Sequence, residues 1–456
     1  MKKIGPQYAE DGNCERGYMP GLRRLILWLM LSAVGVPALA ETKVTIATVN
    51  NGDMIVMQKL SKVFEKQNPD IRLEWVILEE NVLRARVTTD IATRGSQFDI
   101  MSIGTYETPI WGKRGWLTLL DDDLPADYDI QDVLKPIRDG LSYSGKLYAL
   151  PFYGESSFTF YRKDLFDRAG LKMPEQPTYD DIARFARILH DPRNGIYGIC
   201  LRGKPGWGEN MGFISTMVNT FGGRWFDENW NPQLTTPEWR QALGFYMDLM
   251  RKYGPPGATS NGHNECRALF ATGKCAIWID ATVAASYMYS PTDSRVVDKV
   301  AFAGAPVQKT ANGSQWLWSW ALGIPASSRH VKEAKRFIQW ATSKAYVRLV
   351  AETEGWAAVP PGTRKSTYDA PQYGKAAPFA GLTLKAILAA DPIHPSAKPV
   401  PYTGIQFVAI PEFQSIGTQV GQLLAAALAG STTLEQALQS SQQAVERTMR
   451  RAGYLK

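Results

Sequence analysis

The sequence predicts an α/β protein of more than one lobe, its first part a mainly parallel sheet with helices on both faces. Three observations carry this reading. Segments of strand period alternate with segments of helical period from Lys43 onward, the pattern of stacked β-α-β units. Of 456 residues 45% are apolar, with 14 Trp, 19 Tyr and 17 Phe, which supplies large cores and is the opposite of a disordered composition. At about 100 to 200 residues per domain, the length implies two or three lobes. The one long apolar run, Leu25 to Ala40, is shorter than the ~20 residues a membrane-spanning helix needs.

That run reads as a secretory signal, with Arg23 and Arg24 before it and the small-residue sequence Ala38-Leu39-Ala40 at its end. The mature chain then starts near Glu41. Met19 is an alternative start, because the stretch ahead of the run is long and mixed in charge for a signal. No Cys follows Ala40, which argues for a soluble exported protein. Residues 41–456 carry 46 basic and 41 acidic side chains, a net +5 without a basic stripe, so a nucleic-acid partner is not expected.

Cys14 falls in the signal segment, leaving Cys200, Cys266 and Cys275. An odd number in an oxidising compartment leaves at least one thiol unpaired. Nine partly helical steps separate Cys266 from Cys275, which argues against a bridge between those two, and other pairings stay open. His190, His263, His330 and His394 show no ligand spacing, so neither metal nor cofactor is expected.

Taken in order, residues 43–49 alternate as a strand. Met54, Met57, Leu60, Val63 and Phe64 recur at helical spacing, and Asn68-Pro69-Asp70 stops that helix. A strand at 71–78, a helix at 83–94 and a strand at 98–103 follow. Ligands of such sheets sit beyond the carboxyl ends of the strands, here 50–53 and 104–108. Two strands, 146–152 and 157–161, are expected to join at a Tyr153-Gly154-Glu155 turn. Helices are expected at 179–189, 237–251 and 265–271, with a loop at 253–262. A strand at 300–305, a Trp-rich segment at 315–324 and one long helix at 331–352 come next. The Pro/Ala-rich stretch 370–402 precedes closing helices near 417–429 and 434–451.

Several segments resemble the family 1 extracellular solute-binding proteins of bacterial ABC importers, the group that includes maltose-binding protein. Tyr161-Arg-Lys-Asp-Leu-Phe-Asp-Arg-Ala-Gly-Leu-Lys-Met-Pro, followed by Pro177-Thr-Tyr-Asp-Asp-Ile, is similar to the family's Y-x-K-D-L-F-x-x-A-G-L-x-x-P signature. Ala268 to Asp280, Lys332 to Trp340 and Gly355 to Arg364 match further family segments. Pro151 to Phe158, Lys204 to Asn210, Ile279 to Ala285 and Pro401 to Phe407 look most like the sorbitol/mannitol-binding subgroup. The resemblance implies a two-lobed clamshell crossed several times by the chain: lobe one from 41–152 and 308–355, lobe two from 153–307 and 356–456. It implies a periplasmic receptor that captures a small polyol or related sugar and passes it, as a monomer, to an ABC transporter permease in the inner membrane. A secreted carbohydrate-active enzyme or a lectin-like module are the alternatives.

The candidate binding residues follow from these readings. Trp316, Trp318 and Trp320 share one face of a strand; Trp316 or Trp318 offers a ring to the carbon-hydrogen face of a polyol, while Trp320, deepest, is expected in the core. Glu155 is placed at the first crossing, where a carboxylate accepts hydrogen bonds from hydroxyls, and an exposed turn charge is its alternative. Tyr153 beside it stacks or donates. Trp207 lies between Gly206 and Gly208, which let the backbone approach a ligand closely; the alternative is a surface loop with a buried anchor. Asp280 either caps a helix beginning at Ala281 or faces the ligand. Asn50 is preferred to Asp53, which suits an N-cap. Tyr106 and Glu107 occupy the loop after the third strand. Arg364 donates a fork of hydrogen bonds to the ligand or forms a hinge salt bridge. Trp356 sits at the third crossing, and Gln406 rests on subgroup resemblance alone. The basic residues of 331–352 read as a solvated face.

Overall fold

A computed structural model describes residues 41–456; the expected signal segment and Cys14 lie outside the described residues. Eleven strands occur among them: β1 (Thr42–Val49), β2 (Ile71–Leu78), β3 (Ile100–Gly104), β4 (Ser142–Tyr143), β5 (Lys146–Leu147), β6 (Ala149–Glu155), β7 (Ser157–Arg162), β8 (Tyr197–Cys200), β9 (Cys275–Ala281), β10 (Val300–Gly304) and β11 (Trp318–Gly323). They form a five-stranded sheet ordered β2-β1-β3-β11-β6, a four-stranded sheet ordered β10-β7-β9-β8 and a small β4-β5 hairpin. In the first sheet β1 runs parallel to β2 and β3, and β11 lies antiparallel between β3 and β6. In the second, β8 and β9 are parallel, while β7 is antiparallel to both β9 and β10.

Strands β6, β9 and β11 are buried along their whole length, as expected of strands covered on both faces. The helix Gly52–Gln67 buries Met54, Met57, Leu60 and Phe64 at spacings that put them on one face. Capping chemistry sets two helix starts at the expected residues. Thr178 and Asp181 form a capping box before Tyr179–Leu189, and Thr433 with Gln436 does the same before Leu434–Arg451.

Four expectations change. The helix over 331–352 is two, Val331–Ala341 and Lys344–Thr353, because Ser343 breaks the run and caps the second by accepting from the Tyr346 amide. Tyr153-Gly154-Glu155 is no turn but the end of β6, paired with β11, so the first crossing falls at Ser156. Gly154 is required there, since a Cβ would stand 2.6 Å from the Gly362 carbonyl oxygen. The helix Asn210–Thr220 is buried at every position and so lacks the polar face that periodicity detects. Residues 356–369 pack on first-sheet elements, through the Val133–Arg364 bridge and the Gly154 amide bonded to the Pro361 carbonyl. A disulfide joins Cys200 and Cys275, and Cys266 is a buried free thiol.

The two sheets are drawn together across a cleft. Lys204 meets Glu79 at 2.7 Å, Thr88 donates to Gln414 at 3.0 Å, and the Tyr106 hydroxyl donates to the Ile410 carbonyl at 3.0 Å.

Candidate ligand-binding site

Between the sheets lies a cavity of about 500 Å³ counting its open mouth. The register of β6 and β11 builds one wall by pairing Trp318 with Glu155 and Trp320 with Tyr153. Asn51, Glu80 and Arg84 join from the two helix starts that follow β1 and β2. Arg202, Trp207, Gly208, His263 and Val283 close the cavity from the other sheet's side, and Trp316 and Gln406 line it at the crossing.

Arg84 organises the aromatic surface. Its guanidinium carbon stands 4.0 Å from the Trp207 ring centre, 4.9 Å from Trp318 and 4.8 Å from Trp320, a desolvated cation among indole faces. Its nitrogens donate to Glu107 at 2.6 Å and Glu80 at 2.9 Å, and Glu107 also accepts from the Gly104 amide at 2.9 Å. The charge is thus neutralised by Glu107 behind the wall and Glu80 in it, and the rings are fixed in place. Gly104 makes room for Trp318, whose ring carbon would lie 2.1 Å from a Cβ there.

A second charged group sits under the opposite wall. Asp280 accepts from the Arg202 Nε at 2.9 Å and Nη2 at 2.5 Å, contacts the His263 Nδ1 at 2.8 Å, and accepts from the Trp278 indole at 3.1 Å. Burial opposes its charge, but Arg202 and His263 prevail and hold the carboxyl well below the usual range. For His263 burial wins over Asp280 and lowers its pKa.

What remains open in the cavity is chemically specific. Glu155 is 7% exposed and has no hydrogen-bond partner among the described residues; burial pushes its carboxyl well above the usual range against the pull of Arg202. The indole N–H groups of Trp207 and Trp316 are buried without partners. Native proteins rarely leave such groups unsatisfied, so each marks a place for a bonding atom. Tyr153 is engaged, its hydroxyl accepting from Asn51 Nδ2 at 2.8 Å.

The structure therefore brings together Tyr153, Glu155, Trp207, Trp316, Trp318 and Gln406, and adds Trp320, which was expected in the core. Others lie elsewhere. Asn50 is exposed and its neighbour Asn51, directly before the helix Gly52–Gln67, lines the cavity instead. Tyr106 stands behind Trp207, ring centres 4.7 Å apart, with its hydroxyl committed to the backbone near Ile410 and Gln414. Asp280 neither caps a helix at Ala281, which is still strand, nor lines the cavity; its oxygens hold Arg202 and His263. Trp356 is half-buried in the single turn Trp356–Ala358, outside the lining. Arg364 is buried in the first-sheet unit, donating to the Tyr128 and Thr342 carbonyls at 3.0 Å and to Asp132 at 3.3 Å. A fully desolvated guanidinium has to satisfy its donors, and these partners engage all three of its nitrogens. Sequence reasoning missed Glu80, Arg84, Arg202 and His263. Glu80 and Arg202 carried a signal, each lying just beyond the carboxyl end of a parallel strand, β2 and β8.

Two sheets linked through strand crossings, with a cavity of aromatic and polar groups between them, define a two-lobed binding protein. Residues 51–348 match the family of bacterial extracellular solute-binding proteins, and the chain belongs to that family. It is 58% identical over 430 residues to a mannitol-binding protein of Pseudomonas aeruginosa, covering 94% of this chain and 98% of that one. A crystal structure of an ABC transporter solute-binding protein from Agrobacterium vitis S4, with bound D-mannitol, matches with a TM-score of 0.90 at 61% identity, over 91% of this chain and 100% of that chain. A ribitol complex from Agrobacterium radiobacter K84 matches with a TM-score of 0.79 at 25% identity, over 90% and 99% of the two chains. The two-lobed clamshell fold follows from these matches. Among the described residues no helix is long and apolar enough to cross a membrane.

Proposed function

We propose that this protein is the substrate-receiving component of an ABC importer and that its substrate is a hexitol of the mannitol type, held in the interlobe cavity. The observation that carries the reading is the set of open groups. Glu155, Trp207 and Trp316 line one cavity walled by aromatic rings, and the indole N–H groups of both tryptophans are buried without partners. A linear polyol supplies hydroxyls that both donate and accept, and carbon-hydrogen edges that lie on aromatic faces. The mannitol names of two relatives near 60% identity support the same ligand class.

In this reading one lobe comprises 41–155 and 318–369 and the other comprises 157–304 with the rest of the C-terminal region, which moves the boundaries expected at 152 and 355. The ligand contacts both walls only when they are together, and that difference favours closure. Export to the periplasm, hand-over to a permease and a monomeric state complete the proposal. Covalent chemistry has no part in it. A glycosidase needs two available carboxyls, and of those near Glu155, Glu80 is bonded by Arg84 and Asp280 has both oxygens engaged.

The test is a thermal-shift panel of hexitols, pentitols, monosaccharides and disaccharides, with product analysis after incubation. A ligand of the native state must raise the melting midpoint by mass action. Mannitol or sorbitol is expected to give the largest rise and to be recovered intact. A rise with disaccharides and none with alditols would overturn the substrate assignment.

A further inference from the structure

A second cavity, about 1330 Å³ counting its mouth, opens beside the first and shares Asn51, Tyr153, His263 and Val283 with it. Both lobes build it, through the start of the helix Gly52–Gln67 on one side and the helix His263–Ala271 on the other. The groups left for a hexitol, Glu155, Trp207 and Trp316, line the first cavity alone. A hexitol placed on them leaves the second cavity to solvent.

That second space carries its own open polar groups. Asp53 is 8% exposed and is bonded to no other side chain. The Arg267 Nε is buried without a partner, and its guanidinium carbon lies 4.3 Å over the Tyr287 ring. That guanidinium comes up to the opposite helix start, with Arg267 Nη1 3.7 Å from where a Gly52 Cβ would stand. A forked donor facing a carboxyl acceptor suits adjacent hydroxyls of a sugar ring, and the Tyr289 ring in the same lining offers an apolar face. Asp53 and Asp293 accompany Arg267 in the lining, and Glu354 there is paired with Lys59, so no excess of cationic groups awaits an anionic extension such as phosphate. An apolar one would leave the buried polar groups unpaired.

We infer that the second cavity is a subsite for a glycosyl group joined to one end of the alditol, so that the protein takes glycosyl-alditols as well as the free hexitol. This inference rests on the hexitol reading of the first cavity. Calorimetry with mannitol, a glucosyl-mannitol and mannitol 1-phosphate tests it on the wild-type protein and on Arg267→Met and Asp53→Asn. Glucosyl-mannitol is expected to bind within about tenfold of mannitol, and each variant to weaken it by about tenfold or more while leaving mannitol within about twofold. Glucosyl-mannitol weaker than that on the wild type, equal losses for both ligands in the variants, or preference for the phosphate overturns the subsite while the hexitol reading stands. Failure of mannitol itself to bind overturns both.

Discussion

A carboxyl group that water cannot reach and no cation bonds keeps its proton, and Glu155 is placed that way, with Asp280, Glu80 and Asp53 adding their repulsion to the effect of burial. Hydroxyls donating to it would stabilise the ionised form, so its pKa must fall when a polyol binds. Binding then releases a proton, and affinity rises with pH between the bound and the free pKa. Calorimetry in two buffers of different ionisation enthalpy should show that release, and Glu155→Gln should abolish it. The amide also mispairs one ligand hydroxyl, which costs about 1–3 kcal/mol at the upper end of the pH range. Identical proton release in wild type and variant would place the titration on another group. At this scale the sequence was partly informative. Tyr153 and Glu155 could be located because they precede a visible strand, and the tryptophans because period two puts them on one face. Arg84, Arg202 and His263 are fixed by partners 23, 78 and 17 positions away, and no local pattern encodes such pairs.

Elements explain why the aromatic wall is rigid. Strand β11 delivers Trp318 and Trp320, the loop before Asn210–Thr220 delivers Trp207, and the helix Glu80–Thr93 inserts Arg84 among all three. Arg84→Met would leave Glu107, 2% exposed, buried without its cation. Breaking a buried pair from one side costs about 3–5 kcal/mol, so urea denaturation should show a loss on that scale. Arg84→Lys keeps the charge and loses the flat, forked group that stacks and bonds at once. It should recover part of the stability but leave mannitol affinity reduced, because the rings are no longer held. Equal affinity in Arg84→Lys and wild type would show that the wall keeps its shape through packing alone. The same scale shows what local signals miss. Caps and periodicity locate Tyr179–Leu189 and Leu434–Arg451 at their observed limits. They fail for Asn210–Thr220, where burial on every side erases the period, and for 331–352, where one serine divides an otherwise continuous amphipathic run.

For the whole molecule, the interleaving of lobes follows from β11 inserting between β3 and β6, a pairing between segments about two hundred residues apart that no window of sequence contains. Closing the lobes has an electrostatic consequence. Asp53 on one side of the cleft and Glu209 on the other are both buried, and burial raises them to about 7 and about 8, against Arg267 for the first and against Arg202 and Lys204 for the second. In the unfolded chain both ionise near the ordinary carboxylate range. Between roughly pH 5 and 8 the unfolded state therefore binds fewer protons than the folded one, and stability must fall as pH rises, by up to about 1.4 kcal/mol per pH unit for each group. Asp280 acts in the other direction. Its lowered pKa gives stability that is present above the ordinary Asp range and lost as pH falls below it. His263, lowered by burial, also works against stability below the ordinary His range, since the unfolded chain protonates first. Glu155, raised by burial in the same way, adds to this decline and His263 opposes it, so urea midpoints measured across pH 5 to 8 should fall toward the alkaline end. Asp53→Asn and Glu209→Gln remove the two opposing groups separately. Each should flatten the decline and leave the variant more stable than wild type at pH 8, with a smaller difference at pH 5. A decline of unchanged slope in both variants would mean that neither carboxyl keeps its proton in the folded protein, and that water reaches the cleft floor even when the lobes are together.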